Sequence, residues 1–232
     1  MSSWLREALG ELLASAALVT VVFASGGLRM QAGSGTLLGT LLGSVALGLG
    51  YGTVLVSFGR LSGAQANPLV SLVASAVGQQ PWGRTLARIA AQIVGALVSL
   101  VGVLAFVRDA LRHEPVGFAA NPVADGVAAF GFLLIALGVA HRRDAVVPLA
   151  VGAFATASFW MTGRATVGNP LLGLTVGVAV GGSHVAWLDL CQTVGADAVG
   201  SAAATVIGLY LFPRAREAAA SLLYIPRPTP PA

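Results

Sequence analysis

The chain has 232 residues, of which 56% are apolar and only 9% are charged. A soluble domain averages about 25% charged residues, and a folded chain of this size must cover a large surface with polar groups. The composition therefore excludes a soluble enzyme, a disordered chain and a nucleic-acid binder, and it predicts an all-α integral membrane protein. A single cysteine, Cys191, excludes an intrachain disulfide and a multi-cysteine metal site.

Apolar segments of about 20 residues predict transmembrane helices. The uncharged runs, divided at glycine and proline residues, predict six spans at 5–25, 37–58, 85–107, 124–141, 145–163 and 186–212. Two further apolar segments begin at Asn67 and Asn169 and are too short to cross a bilayer. We expect each of these to form a re-entrant half-helix, over 67–77 and 169–178. The proline-rich tail, 224–232, is predicted to be disordered.

The basic residues, all of them arginine, predict the orientation in the membrane. With both termini in the cytoplasm, more arginines lie on the inner side than on the outer side, as the positive-inside rule requires. The inner residues are Arg6, Arg60, Arg84, Arg88, Arg142, Arg143, Arg214, Arg216 and Arg227, and the outer residues are Arg29, Arg108, Arg112 and Arg164. We therefore expect a multi-pass protein of the cell membrane with cytoplasmic termini.

Two stretches of the chain are similar to each other. The first half contains L-S-G-A-Q-A-N-P-L-V-S-L and the second contains M-T-G-R-A-T-V-G-N-P-L-L-G-L, while the segment at Gln92 is echoed at Gln192. Because each half has three spans, an odd number, the halves must have opposite orientations. We expect an inverted repeat of residues 1–112 and 113–223, with the interrupted segments on the path of a solute.

Each predicted half-helix begins with an Asn-Pro step, formed by Asn67 and Pro68 in the first half and by Asn169 and Pro170 in the second. Asn is a favoured N-cap, and Pro suits the first helical position. In an inverted repeat the positive ends of the two half-helices converge, so these residues are predicted to form the centre of a pore. A third Asn-Pro step, at 121–122, lacks the repeat context and is predicted to be only the entry to the fourth span.

With these motifs, the chain resembles the major intrinsic protein family, the aquaporins and glycerol facilitators, over residues 7–212. The segment R-E-A-L-G-E-L (6–12) is similar to the first-helix pattern A-E-x-x-G-T of that family, and the segment beginning at Asp125 is similar to its fourth-helix counterpart. The resemblance implies that Glu7 and Asp125 are buried acids that hold the pore loops; the alternative is that both are solvated acids at helix ends. It also implies a homotetrameric passive channel in the lipid bilayer, without enzyme activity, cofactor or metal.

The chain departs from the family pattern around the pore. Leu69 and Leu171 follow the Asn-Pro pairs, where the family usually has Ala, and Leu172 stands where the family has a filter Arg. Counting back from the two Asn residues places the other filter positions at Leu47, Ala157 and Thr166. Replacing Arg by Leu removes a charge and several hydrogen-bond donors. The filter is therefore predicted to be wide and apolar, and to pass small uncharged solutes larger than water, such as polyols, urea-like molecules, metalloid hydroxides or undissociated weak acids, and water as well.

Other interpretations remain open at this point. One alternative is a non-conducting protein in which Leu69, Leu171 and Leu172 close a dry constriction, because hydrophobic rings gate by dewetting. Another is a water channel of low selectivity. Asp197, an acid inside the sixth span, is a reason to consider a secondary transporter, although such a protein normally has more coupling acids. Arg164 is a candidate cation at the outer mouth of the pore, and the alternative for this residue is a solvated loop arginine.

Overall fold

A computed structural model gives the fold of the chain and describes residues 3–113, 121–140, 146–181 and 187–212. Every regular element in these residues is a helix. The helices are α1 (Ser3–Gln31), α2 (Leu37–Ser62), α3 (Pro68–Ala76), α4 (Trp82–His113), α5 (Pro122–Val139), α6 (Val146–Thr162), α7 (Pro170–Gly181) and α8 (Trp187–Leu211). The predicted disordered tail, 224–232, lies outside the described residues.

Six of these helices match the predicted spans and two match the predicted half-helices. By length and composition, α1, α2, α4, α5 and α8 can cross a membrane. Helix α6 has 17 residues, and at 1.5 Å per residue it is about 25 Å long, somewhat less than the hydrocarbon core. Helix α3 lies within the range predicted for it, whereas α7 continues past 178 to Gly181. The predicted fold class is confirmed.

The helices follow the same order in each half of the chain, with two long helices, a short one and a further long one. In the first half α1 packs against α2 and α4, and in the second half α5 packs against α6 and α8. Helices α2 and α6 join the two halves, and the short helices α3 and α7 contact each other. The predicted boundary at 112/113 lies at the last residue of α4, and the division into two repeats stays a prediction.

Glycine allows the closest crossings within each half. A Cβ atom at Gly95 in α4 would overlap the backbone of Leu12 in α1, and a Cβ atom at Gly200 in α8 would overlap the backbone of Gly126 in α5. Small residues permit such close approach between membrane helices. Near these matched crossings, Gln92 of α4 reaches Glu11 in α1 and Ser71 in α3, and Thr193 of α8 reaches Asp125 in α5.

Candidate pore

The two half-helices begin at Asn-Pro steps with the expected capping geometry. The side-chain Oδ1 of Asn67 accepts a hydrogen bond from the backbone N–H of Leu69 (3.0 Å), and Oδ1 of Asn169 accepts one from the backbone N–H of Leu171 (3.1 Å). Pro68 is the first residue of α3, where its missing N–H leaves no hydrogen bond unmade. Local sequence alone therefore accounts for the start of both half-helices.

The Asn side chains also connect the two halves of the protein. Nδ2 of Asn67 donates to the carbonyl oxygen of Gly168 (3.3 Å), and Nδ2 of Asn169 donates to the carbonyl oxygen of Ala66 (2.8 Å). Both Asn residues are buried. Because an amide group has two N–H donors, each Asn keeps a second donor after this bond. The two positive helix ends are thereby fixed at one place, with two amide donors beside them.

A buried carboxylate in α1 holds the loop that precedes α3. Glu11 is fully buried and accepts hydrogen bonds from the backbone N–H groups of Gln65 (3.0 Å) and Ala66 (2.8 Å). Nε2 of Gln92 donates to the same carboxylate (2.7 Å) and to Oγ of Ser71 (3.0 Å). Glu11 thus satisfies two backbone donors that have no place in a helix, and Gln92 joins the carboxylate to the half-helix.

The expectation that Glu7 holds this loop is wrong. Glu7 lies one turn nearer the N-terminus and pairs with Arg88 (3.1 Å) and with the more distant Arg84 (3.7 Å). The physical reason is the helix crossing at Gly10, where a Cβ atom would overlap the Ser62 side chain. The residue after that crossing, Glu11, is therefore the one that reaches the loop.

The second loop is held in a different way. Asp125, in the first turn of α5, is buried, and its Oδ2 accepts hydrogen bonds from Nη1 of Arg164 (2.9 Å) and from Oγ1 of Thr193 (3.1 Å). Gly168 packs directly on α5, where a Cβ atom would overlap the backbone of Ala129. An ion pair and a backbone contact therefore hold the second loop, whereas a carboxylate holds the first.

The structure contradicts one of the two interpretations of Arg164, that of a solvated loop arginine. Its side chain is largely buried, with 15% of its surface exposed, and it pairs with Asp125 behind the loop. It is therefore not a solvated loop arginine, and its charge is offset by a buried carboxylate. The candidate mouth cation is thus a residue that positions the second pore loop.

Three of the four predicted filter residues lie in the interior. Leu47, Leu172 and Thr166 are all buried, with at most 2% of their surface exposed, and Leu171 is also buried whereas Leu69 is half-buried. Pro170, like Pro68, is the first residue of its half-helix. The interior beside the Asn pair is therefore lined by leucine.

Ala157 does not belong with this group. It is exposed, and it follows Leu149 and Ala153 and precedes Trp160 on an exposed stripe of α6. Ala155 is fully buried on the opposite face, since two residues of an α-helix are separated by about 200°. The ungapped count from Asn169 fails because it runs through the non-helical loop 163–169.

Two further polar side chains, those of Tyr51 and Asp197, are buried in the interior. The hydroxyl of Tyr51 lies beside the Asn169 side chain and has no well-formed hydrogen bond within the described part of the chain, and its ring meets Phe132 edge-to-face. Asp197 is buried near Asp125 and Arg164, and its Oδ2 has no hydrogen-bond partner among the described residues. The expected satisfaction of Asp197 by a neighbouring polar group is therefore incomplete.

Gly168 provides a test of how tightly the second loop is held. Gly168→Ala should lower the free energy of unfolding by more than about 3 kcal/mol, because the methyl group meets the α5 backbone as well as an unfavourable φ. Gly163→Ala is the matched control: its φ of +68° is close to the +65° of Gly168, but nothing lies within 4 Å of its Cβ position, so a cost of about 1 kcal/mol is expected. Thermal unfolding in detergent measures both. Equal losses would show that Gly168 does not pack on α5 as described.

A bundle of membrane helices in which two half-helices meet at their N-termini is typical of a class of membrane channels. Comparison with known proteins assigns the chain to the same class. The family model described as major intrinsic protein matches residues 1–188, and the chain belongs to that family. It is 30% identical over 219 residues to the aquaglyceroporin AqpS of Rhizobium meliloti (strain 1021), covering 91% of this chain and 92% of the relative.

More distant relatives place the chain in the same fold. It is 30% identical over 163 residues to the aquaporin NIP3-1 of Oryza sativa subsp. japonica, which covers 65% of this chain and 52% of that protein. The X-ray structure of the aquaglyceroporin from Plasmodium falciparum superimposes with a TM-score of 0.72 at 18% identity, over 91% of this chain and 98% of the other. Members of the family are passive channels for water or small solutes and are not enzymes, so the predicted absence of enzyme activity is confirmed.

Proposed function

We propose that the chain is a passive channel for small uncharged solutes larger than water, such as polyols, urea-like molecules or neutral metalloid hydroxides, and that water passes as well. The observation that carries this proposal is Leu172, a buried leucine in the first turn of α7, three residues after Asn169. A leucine there provides no charge and no donor, and so favours solutes with apolar carbon surface over water alone. The aquaglyceroporin name of one relative agrees with this choice of solutes.

The size of the side chains supports a polyol-sized path. Gly48, which follows Leu47, packs against Gly152 and against the side chain of Thr156 in α6, so this part of α6 lies at the depth of Leu47. The inward residue between those two contacts is Ala155. A small residue therefore still occupies the α6 side of the proposed filter, although it is not the alanine chosen from sequence.

The same burial favours a second candidate, a channel that is closed at rest. Leu47, Leu171 and Leu172 are each at most 7% exposed, and a ring of leucine side chains without water resists the entry of polar solutes. In that case the protein is a gated channel in which these residues move apart. The two candidates share one pore and differ in its resting flux.

Flux measurements on proteoliposomes test the proposal. Stopped-flow light scattering should show uptake of glycerol, urea and a neutral metalloid acid above that of empty vesicles, because each is small and uncharged. Uptake should be unchanged when a protonophore collapses the proton gradient, whereas a secondary transporter would slow down. Flux of water alone would contradict the wide filter, and no flux of any solute would favour the closed channel.

We also propose that the protein lies in the cell membrane with both termini in the cytoplasm, and that it forms a homotetramer. The excess of arginine on the proposed inner side supports this orientation. Exposed leucine and valine side chains on α2, α4 and α8 provide a large apolar surface for lipid and for neighbouring subunits. Cysteine accessibility at either terminus and the mass of the detergent-solubilised protein test these two points.

A further inference from the structure

Arg29, in the last turn of α1, lies at the end of the protein where the second pore loop begins. Its Nη1 donates to the carbonyl oxygen of Gly163 (3.2 Å), and its guanidinium lies 5.3 Å from the centre of the Phe159 ring. Contact with an aromatic face stabilises a guanidinium without neutralising it. The side chain is thus held by α6 and by the loop rather than extended into solvent.

A glycine in α2 shows how close this arginine lies to the leucine constriction, which is formed by Leu47, Leu171 and Leu172. A Cβ atom at Gly43 would lie 3.0 Å from Cβ of Arg29 and 3.6 Å from Cζ of Phe159. Gly43 precedes Leu47 by four residues, or one helical turn of about 6 Å. Arg29 therefore lies about one turn from Leu47, on the side from which the loop 163–169 enters.

The charge of Arg29 has no carboxylate to offset it among the described residues. The ion pairs found there join Arg84 and Arg88 to Glu7 and Arg164 to Asp125. Nε of Arg29 is buried and has no hydrogen-bond partner in that part of the chain. Of the five N–H donors of a guanidinium, the described residues account for one, which binds the carbonyl oxygen of Gly163, so the group keeps its full positive charge.

We propose that Arg29 supplies the fixed positive charge at the outer constriction, where Leu172 supplies none, and thereby excludes cations from a path that neutral solutes can take. A positive charge in a narrow, poorly solvated path raises the barrier for cations and not for neutral molecules. This assignment rests on the proposed function, since it requires a conducting pore.

Guanidinium, which stays charged at any working pH, is the probe for cation exclusion, and glycerol is the probe for conduction. Arg29→Gln should raise guanidinium flux into proteoliposomes about tenfold or more, with glycerol flux within about twofold of the native protein. Arg29→Lys should keep guanidinium out, because it keeps the charge. The matched control is Arg6→Gln, which removes an exposed arginine at the start of α1 and should change neither flux.

Replacing Arg29 by histidine allows the charged and neutral side chains to be compared in a single variant by changing the pH. In Arg29→His, guanidinium flux should be low at pH 5, where a histidine is charged, and higher at pH 8, where it is neutral. If Arg29→Gln keeps the glycerol flux of the native protein and gains no guanidinium flux, the assignment of Arg29 alone is overturned. If Arg29→Gln does not fold, the same conclusion follows when Arg29→His keeps its glycerol flux and its guanidinium flux does not change with pH. Absence of glycerol flux in the native protein overturns the proposed function, and the assignment with it.

Discussion

Replacing Glu11 by Gln is expected to lower the free energy of unfolding by about 2–4 kcal/mol and to abolish solute flux. Glu11 is fully buried and accepts from the backbone N–H groups of Gln65 and Ala66 and from the amide of Gln92. A Gln side chain has one acceptor oxygen, so it leaves at least one of these buried donors without a partner. The loop before α3, and with it Asn67, then loses its position. Thermal unfolding in detergent and glycerol flux in proteoliposomes measure the two effects.

Glu7→Gln is the comparison that separates the loop from the ion pair. Glu7 lies on the same helix one turn away and binds Arg88 and Arg84, and no hydrogen bond joins it to the loop among the described contacts. We expect this variant to lose stability through Arg88, which is buried, and still to conduct glycerol. If Glu11→Gln conducted as well as Glu7→Gln, the carboxylate of Glu11 would not be what positions the first pore loop.

The features that sequence predicted well are those set by local chemistry. Length and apolarity fix the long helices, and the Asn-Pro steps fix the starts of α3 and α7, because capping and the missing proline N–H act within a few residues. The Asn-Pro step at 121–122 is also an ordinary helix start, as expected: Asn121 caps α5 by accepting from the N–H of Ala124 (3.1 Å). None of these inferences depends on where a distant element lies.

The features that sequence missed depend on contacts between elements. Glu7 and Glu11 are one turn apart on one helix face, and only the crossing at Gly10 decides which of them reaches the loop. The residue count that places Ala157 at the filter runs through a loop in which Gly163, Val167 and Gly168 have positive φ. Such a segment follows no regular rise, so residue counts across it do not give depth along the pore.

The internal repeat is another case in which geometry corrects a sequence match. The sequence match pairs Gln192 with Gln92, yet Gln192 is exposed and Gln92 is fully buried. The matched crossings at Gly95 and Gly200 instead pair Gln92 with Asp197, each three residues before its glycine. The polar residue that α4 contributes to the first half is therefore an acid in the second half, where α5 contributes no carboxylate to the backbone of loop 163–169 in the described contacts.

The two loops are held by different contacts. The first is fixed by two backbone hydrogen bonds to Glu11, and the second by the ion pair of Arg164 with the buried Asp125, by the contact of Gly168 with α5 and by the hydrogen bond from Arg29 to the carbonyl oxygen of Gly163. Removing one partner of a buried ion pair leaves an uncompensated charge, so this ion pair is a strong constraint on the second loop.

Substitution of Leu172 is expected to change flux more than any other change at the filter. Leu172→Ala removes a buried side chain at the constriction, so we expect glycerol flux to rise several-fold, and to rise from a very low level if the pore is closed at rest. Leu172→Arg should have the opposite effect on glycerol, lowering its flux about tenfold while water flux falls less, because a guanidinium narrows the path and offers donors that a small water molecule can use. Stopped-flow light scattering with glycerol and with an impermeant osmolyte measures both.

Leu174 provides the matched control for both substitutions. It is a leucine of the same half-helix, two residues further on, and it is 36% exposed rather than buried. Leu174→Ala and Leu174→Arg should leave the ratio of glycerol to water flux unchanged, since an exposed side chain of α7 does not border the constriction. A change in that ratio at Leu174 and none at Leu172 would place the filter elsewhere on α7. A change at Leu172 alone would show that the side chain at this position sets the ratio of glycerol to water flux.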